Sequence, residues 1–157
     1  MGRLIIVRHA YTGSRSAFDG PDAGRPLSKK GWKQAHRIAT ALGDVRFDRL
    51  VASPATRCRQ TLEPLADALG LEVDEESTLS EGAAGDLALD ALLSITDTAP
   101  TIAGCSHGDV IPRTIAEAER RGATIFGQAS LPKASWYELE TDGHTVLAVT
   151  YHPAPGS

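Results

Sequence analysis

The sequence predicts an α/β fold, a three-layer sandwich in which a mainly parallel sheet of about six strands has helices on both faces. Short apolar segments rich in β-branched residues alternate with segments whose apolar residues recur every three or four positions. The chain then closes with two strand-like segments joined by a turn that contains Asp142 and Gly143. This order is typical of parallel strands connected by helices, with a hairpin at the end of the chain.

The predicted strands are short apolar runs. Residues 4–7 form a continuous apolar run, as expected of a strand that is buried on both faces. The other predicted strands are residues 50–52, 71–74, 101–103, 135–140 and 145–151.

The predicted helices begin and end at residues with a known preference for those positions. Ser28 is predicted to cap the first helix, which ends at Gly43, and Ser53-Pro54 is predicted to open the second, which ends before Gly70. The third helix is predicted from an apolar stripe and the fourth from an amphipathic segment: Ala88, Ala91, Leu92 and Ile95, then residues 110–121.

Length and charge restrict the class of protein. The 157 residues are the size of one domain, predicted to span residues 1–152, with 153–157 as a disordered tail. The net charge of −4 argues against a nucleic-acid or membrane-surface partner, because either usually needs a basic patch. No apolar run reaches the ~20 residues of a membrane span. With no signal peptide recognised and only two cysteines, we expect a cytoplasmic protein with reduced thiols.

Charged side chains directly follow three of the predicted strands. Arg8 and His9 end the first strand, Arg57 lies one turn into the helix after the second, and His107 follows the fourth. Because ligands of such sheets bind outside the carboxyl ends of the strands, we expect these four side chains to converge beside two helix N-termini. Arginine side chains and helix N-termini favour a tetrahedral oxyanion, so the pattern predicts a phosphate pocket.

Other phosphate chemistries have signatures that this sequence lacks. There is no Gly-x-x-x-x-Gly-Lys loop, no Gly-x-Gly-x-x-Gly after the first strand and no Gly-x-Ser-x-Gly elbow. Neither cysteine has an arginine six positions downstream. The remaining histidines show no spacing typical of metal ligands, so we predict neither a metal nor a cofactor. What remains at the predicted pocket as a nucleophile is a histidine.

Five different short motifs follow one another along about two-thirds of the chain: Arg8-His9-Ala10, residues 25–28 with Gly31, Ser53-Pro54 with Arg57, Gln60 and Thr61, residues 79–81, and residues 106–108. Their order and spacing resemble those of the histidine phosphatase superfamily, whose fold is phosphoglycerate-mutase-like. Ala10 stands where the family has glycine. The length and the segment beginning at Arg25 resemble the small SixA-type phosphohistidine phosphatases. The cysteine after Arg57 and the segment around Trp136 resemble the phosphatase domain that follows a Nudix domain in some actinobacterial MutT-like proteins.

The resemblance implies a metal-independent phosphatase that needs no cofactor. His9 is the predicted nucleophile, which forms a phosphohistidine that water hydrolyses, and its neutral ring is favoured by the charges of Arg8 and Arg57. Arg8 and Arg57 are predicted to bind the phosphoryl oxygens, as is His107, which would also stabilise charge during transfer.

Further contacts are predicted in the loops that flank these strand ends, residues 13–24 and 80–87, which we expect to set specificity. Glu81 stands where relatives that act on ordinary phosphoesters carry their proton donor. Thr12 and Arg15 are predicted to contact phosphate or substrate. Three lysines of the first helix are predicted to form a solvated face: Lys29, Lys30 and Lys33.

The sequence leaves several substrates open. Glu81 favours a small phosphoester or phosphoanhydride, whereas the segment at Arg25 favours a phosphohistidine protein. A non-catalytic module that recognises phosphate is the alternative from another class, and a mutase is less favoured because the chain lacks long insertions. The resemblance also implies a functional link to a Nudix hydrolase.

Overall fold

The computed structural model describes residues 1–127 and 130–156, which form one seven-stranded sheet flanked by four α-helices. The strands are β1 (Gly2–Arg8), β2 (Arg49–Ala52), β3 (Val73–Glu75), β4 (Thr101–Ser106), β5 (Thr124–Phe126), β6 (Trp136–Asp142) and β7 (Thr145–His152). The helices are α1 (Lys29–Leu42), α2 (Thr56–Leu69), α3 (Gly85–Ile95) and α4 (Val110–Arg120).

The strand order is β3-β2-β4-β1-β6-β7-β5, and the sheet is mainly parallel. Parallel pairs join β3 to β2, β2 to β4, β4 to β1 and β7 to β5, whereas β6 runs antiparallel to both β1 and β7. The predicted α/β sandwich is confirmed. The sheet has one strand more than the six expected. The additional strand, β5, is not predicted because it is only three residues long and gives no detectable periodicity.

The two faces of the sheet have separate apolar cores, and β1 contributes to both. Leu4 and Ile6 pack with α3 and α4 on one face, while Ile5 and Val7 pack with α1 and α2 on the other. All four side chains are at most 1% exposed, and burial of such a side chain contributes about 1.5–3 kcal/mol. This explains why residues 4–7 are continuously apolar.

The helices on the α1–α2 face are positioned by contacts at their N-termini. Ser28 caps α1 as predicted, since its Oγ accepts a hydrogen bond from the Gly31 N–H at 3.2 Å. A Cβ at residue 31 would lie 1.9 Å from the Tyr11 carbonyl oxygen, so only glycine lets the loop after β1 approach the helix. The prediction that Ser53-Pro54 opens α2 is wrong, because residues 53–55 remain outside the helix.

Two predictions about membrane spans and the chain end can be compared with the structure. Within the part of the chain that the structure describes, no helix is long and apolar enough to cross a membrane. The predicted tail is described as far as Gly156, and Ala154 packs half-buried against the core on the α1–α2 face.

Candidate active site

Three neighbouring parallel strands, β2, β4 and β1, end at the same edge of the sheet, and a cleft of about 490 Å³ lies there. His9 follows β1 directly, His107 follows β4, and Arg57 lies in the first turn of α2, after β2. The cleft is lined by every residue that the sequence predicts for the site: Arg8, His9, Thr12, Arg15, Arg57, Glu81 and His107.

Backbone and hydroxyl contacts fix His9 beside α2. The His9 N–H donates to the Ser106 carbonyl oxygen at 3.0 Å, which joins the ends of β1 and β4. The next N–H, of Ala10, donates to Thr61 Oγ1 at 3.0 Å, and that hydroxyl donates to the Arg57 carbonyl oxygen at 2.7 Å. Thr61 therefore links the turn that carries His9 to the helical turn that carries Arg57.

The His9 ring is held in one tautomer. Its Nδ1 lies 2.9 Å from the Ala10 carbonyl oxygen, and because a carbonyl only accepts, Nδ1 carries the proton and Nε2 the lone pair. Burial lowers the pKa of His9 to about 3, an effect that the charges of Arg57, His107 and Arg8 reinforce and the Ala10 hydrogen bond opposes. His9 is therefore a neutral imidazole at neutral pH.

His107 stands edge-on to His9, with the ring centroids 5.5 Å apart and the planes at 67°. Its Nε2 lies 2.8 Å from Ser53 Oγ and 3.6 Å from Cys58 Sγ. Ser53 Oγ also accepts the Ala55 N–H at 3.3 Å, which ties the segment before α2 to the histidine. Ser53 therefore orients His107 from the extended segment that precedes α2.

Arg8 and Arg57 each carry an Nε–H that is buried and has no hydrogen-bond acceptor within residues 1–127 and 130–156. Arg8 Nη1 donates to the Leu131 carbonyl oxygen at 2.8 Å, while Arg57 Nη1 donates to the Asp22 carbonyl oxygen at 3.0 Å. A Cβ at Gly108 would lie 2.8 Å from Arg8 Nε, so glycine lets the guanidinium lie against the backbone there. A buried donor without an acceptor calls for a ligand, and an oxyanion supplies one.

Asp22 gathers three arginines at the mouth of the cleft. Its carboxylate lies 3.0 Å from Arg25 Nε, 3.1 Å from Arg15 Nε and 3.4 Å from Arg57 Nη2. The hydrogen bond from Arg25, followed by the charges of Arg57, Arg25 and Arg15, lowers the pKa of Asp22 below its ordinary value. Sequence reasoning missed Asp22 and Arg25 as site residues, although Arg25 begins one of the recognised motifs.

Thr12 and Glu81, which also line the cleft, are held by their neighbours. Thr12 Oγ1 accepts a hydrogen bond from Arg25 Nη1, which also donates to the Gly13 carbonyl oxygen at 2.8 Å. Glu81, half-exposed, has Oε2 3.2 Å from Arg57 Nη2 and Oε1 3.8 Å from Arg15 Nη2. Lining residues that sequence reasoning also missed are Gly108, Asp109 and Lys133.

The cleft is cationic although the chain is acidic. Four arginines and Lys133 line it against the carboxylates of Glu81 and Asp109, with Asp22 at its mouth, whereas the net charge of the chain is −4. Among the described residues, no group of three or more His, Cys, Asp or Glu side chains could hold a metal ion. The arrangement can bind an oxyanion and present a neutral imidazole to it.

An α/β sheet whose strand ends hold a neutral histidine among arginines defines a class of phosphoryl-binding proteins. The sequence matches the model of the histidine phosphatase superfamily (branch 1) over residues 4–90, more than half of the chain. The protein belongs to that superfamily, as the motifs predict.

One curated relative and two solved structures show which known proteins this chain resembles. An 8-oxo-(d)GTP phosphatase of Mycolicibacterium smegmatis is 37% identical over 115 residues, which cover 71% of this chain and 36% of that relative. This chain therefore spans about a third of the length of that curated relative. The protein histidine phosphatase SixA, solved with tungstate, superposes with a TM-score of 0.76 at 21% identity, covering 96% of this chain and 94% of the other. A variant of phosphoserine phosphatase from Entamoeba histolytica, solved with phosphoserine, gives 0.73 at 15% identity and covers 99% and 98%. At such identities the two structures show a shared fold.

Proposed function

We propose that this protein is a metal-independent phosphatase that transfers a phosphoryl group from its substrate to His9 and then to water. The observation that carries the proposal is the state of His9. The ring is neutral, its Nδ1 proton is committed to the Ala10 carbonyl oxygen, and its Nε2 keeps the lone pair that a nucleophile needs.

In the first step, Nε2 of His9 attacks phosphorus and the bond from phosphorus to the leaving group breaks. The free Nε–H groups of Arg8 and Arg57 and the ring of His107 are placed to stabilise the charge on the phosphoryl oxygens. In the second step, water attacks the phosphohistidine, the P–N bond breaks and neutral His9 returns.

Glu81 is the proposed proton donor for a leaving oxygen, and in the second step the same carboxylate takes a proton from water. In the free protein it is ion-paired to Arg57 and Arg15, so the substrate phosphate must take over these arginines before Glu81 can act. A phosphohistidine substrate needs no such acid, because its leaving imidazole is already a good leaving group.

The proposed substrates are small phosphoesters or phosphoanhydrides, with phosphohistidine on a protein as the alternative. The mycobacterial relative, named for a nucleoside triphosphate, supports the first class, and the SixA structure, named for protein phosphohistidine, supports the second. The functional link to a Nudix hydrolase and the cytoplasmic location remain predictions of the sequence.

Hydrolysis of p-nitrophenyl phosphate in EDTA, measured for the wild type and His9→Ala, tests the mechanism. We expect turnover without metal and a loss of at least about 10³-fold in the variant, because the nucleophile is removed. His36→Ala is the matched control, since His36 is exposed on α1 and lines no part of the cleft; its activity should be unchanged.

A non-catalytic phosphate-recognition module predicts a different result. If folded wild-type protein binds phosphate but turns over neither p-nitrophenyl phosphate nor phosphohistidine, the phosphatase proposal is wrong and a phosphate-recognition module is correct. Acid-labile phosphate trapped on the wild type, and lost in His9→Ala, would identify the phosphohistidine directly.

A further inference from the structure

A second cavity of about 580 Å³ adjoins the active-site cleft, and we call it the basic groove. One side is α1, and the other is formed by residues 132–133 and the chain end at residues 153–155. Lys133 lines both the basic groove and the cleft, so the two cavities meet at this side chain. A volume of this size accommodates part of a small ligand.

Four cations line the basic groove: Lys30, Lys33, Arg37 and Lys133. The first three occupy positions i, i+3 and i+7 of α1, which places them on one face of the helix. Like charges at such spacing repel one another and weaken the helix. An anion between them converts that repulsion into attraction.

These four cations lack carboxylate partners. No Asp or Glu lies among the described residues that line the basic groove, and none of the four makes an ion pair within the described part of the chain. Elsewhere on the surface, Arg3, Arg49 and Arg121 each contact a carboxylate at 3.0 Å or less. The groove thus concentrates uncompensated positive charge in a chain whose net charge is −4.

Two of the cations lie against the ring of Tyr11. Lys30 Nζ lies 3.9 Å and Lys133 Nζ 4.6 Å from the centroid of its ring. With two ammonium groups over the ring, Tyr11 offers little free face for stacking a base or another aromatic group. The chemistry of the groove is therefore that of an anion site.

We propose that the basic groove binds a second phosphate group of the substrate, while the phosphate to be transferred lies in the cleft beside His9. The inference rests on the proposed phosphatase function and narrows it to small molecules that carry more than one phosphate. Lys133, at the junction, bridges the two phosphates.

Calorimetric titration of inorganic phosphate and of inorganic tripolyphosphate, in EDTA and at low salt, tests this inference. A His9→Asn background prevents turnover, so binding is measured whether or not the protein is a phosphatase. The test variant is Lys33→Gln with Arg37→Gln, neither of which lines the cleft. The control is Lys29→Gln with Arg59→Gln, which removes the same charge at residues that line neither cavity.

We expect the groove variant to bind tripolyphosphate about fivefold or more weakly, with phosphate binding in the cleft unchanged and the control affected less than about twofold. The difference should shrink at high salt, because exposed charges are screened. Equal losses in both double variants, or none in the groove variant, would overturn the inference. So would a groove-dependent binding of polyglutamate with no groove-dependent binding of tripolyphosphate, which would assign the groove to an acidic protein segment. Loss of p-nitrophenyl phosphate turnover is a separate result, since it concerns the phosphatase proposal alone.

Discussion

The floor and the rim of the cleft are built in different ways. The floor consists of His9, Arg57 and His107, which are at most 7% exposed and are held by hydrogen bonds from strand ends and from α2. On the rim, the Arg15 and Glu81 side chains are 68% and 51% exposed and are held mainly by ion pairs with their neighbours.

The difference determines what each region can do. A buried charge acts through a low dielectric, so its substitution costs much free energy. An exposed ion pair is screened and contributes at most about 1 kcal/mol. We therefore expect the floor to stabilise the reacting phosphoryl group. On the rim, we expect the substrate's anionic groups to replace the carboxylates that pair with the arginines. Variants of the floor should act mainly on kcat. Variants of the rim should act mainly on affinity, except at Glu81, the proposed proton donor.

Arg57→Ala gives the largest effect expected of any arginine, because Arg57 is 2% exposed and joins the floor to the rim through Asp22 and Glu81. We expect kcat/KM for p-nitrophenyl phosphate to fall about 10²–10³-fold, mostly through kcat. Arg57→Lys should recover part of the loss. Arg59→Ala, on the same helix but outside the cleft, should be neutral, and urea unfolding should show that all three variants fold.

The positions of the floor residues could be predicted from the sequence because they follow strands. The apolar run at residues 4–7 locates β1, and the order of strands and helices implies that the ends of β1, β2 and β4 share an edge. The sequence therefore predicts that His9 and His107 lie together.

The rim could not be predicted in the same way. Asp22 and Arg25 lie in a long loop with two short 3-10 turns. Asp22 pairs there with Arg25 and Arg15, and it also pairs with Arg57 on α2. No periodicity encodes such contacts. The strand β5 was missed for a related reason, since its three residues gain their strand geometry from β7.

Glu81→Gln tests whether the rim takes part in the chemistry. If Glu81 protonates the leaving oxygen, we expect kcat for phenyl phosphate, an ester with a poorer leaving group than p-nitrophenyl phosphate, to fall about 10²-fold, with hydrolysis of phosphohistidine nearly unchanged. Glu75→Gln, on an exposed residue outside the cleft, is the control. Equal activity of Glu81→Gln and the wild type on both substrates would exclude the proton-donor role.

The neutral state of His9 predicts how stability depends on pH. Its pKa falls from 6.5 to about 3 on folding, so between these values the unfolded chain binds the extra proton and stability decreases as the pH falls. Between neutral pH and about pH 4.5, the wild type should lose about 2–3 kcal/mol more of its free energy of unfolding than His9→Asn. Urea titrations at the two pH values measure this. His36→Asn, at an exposed histidine of α1, should behave like the wild type; an acid-induced loss as large in His9→Asn as in the wild type would contradict a buried neutral ring.

Asp22→Asn should have the smallest effect of these variants, and it should strengthen phosphate binding, whereas the other variants lose activity or stability. The Asp22 carboxylate competes with phosphate for Arg15, Arg25 and Arg57, so removing its charge leaves these guanidinium groups with a weaker internal partner. Because the Asp22 carboxylate is partly exposed and such ion pairs contribute about 0.2–1 kcal/mol each, inorganic phosphate should inhibit Asp22→Asn at a concentration about two- to tenfold lower than the wild type. Asp19→Asn, an exposed acid in the same loop, controls for the change of net charge. Weaker phosphate inhibition in Asp22→Asn would mean that Asp22 orients the arginines for phosphate, and the rim would then act as a fixed extension of the floor.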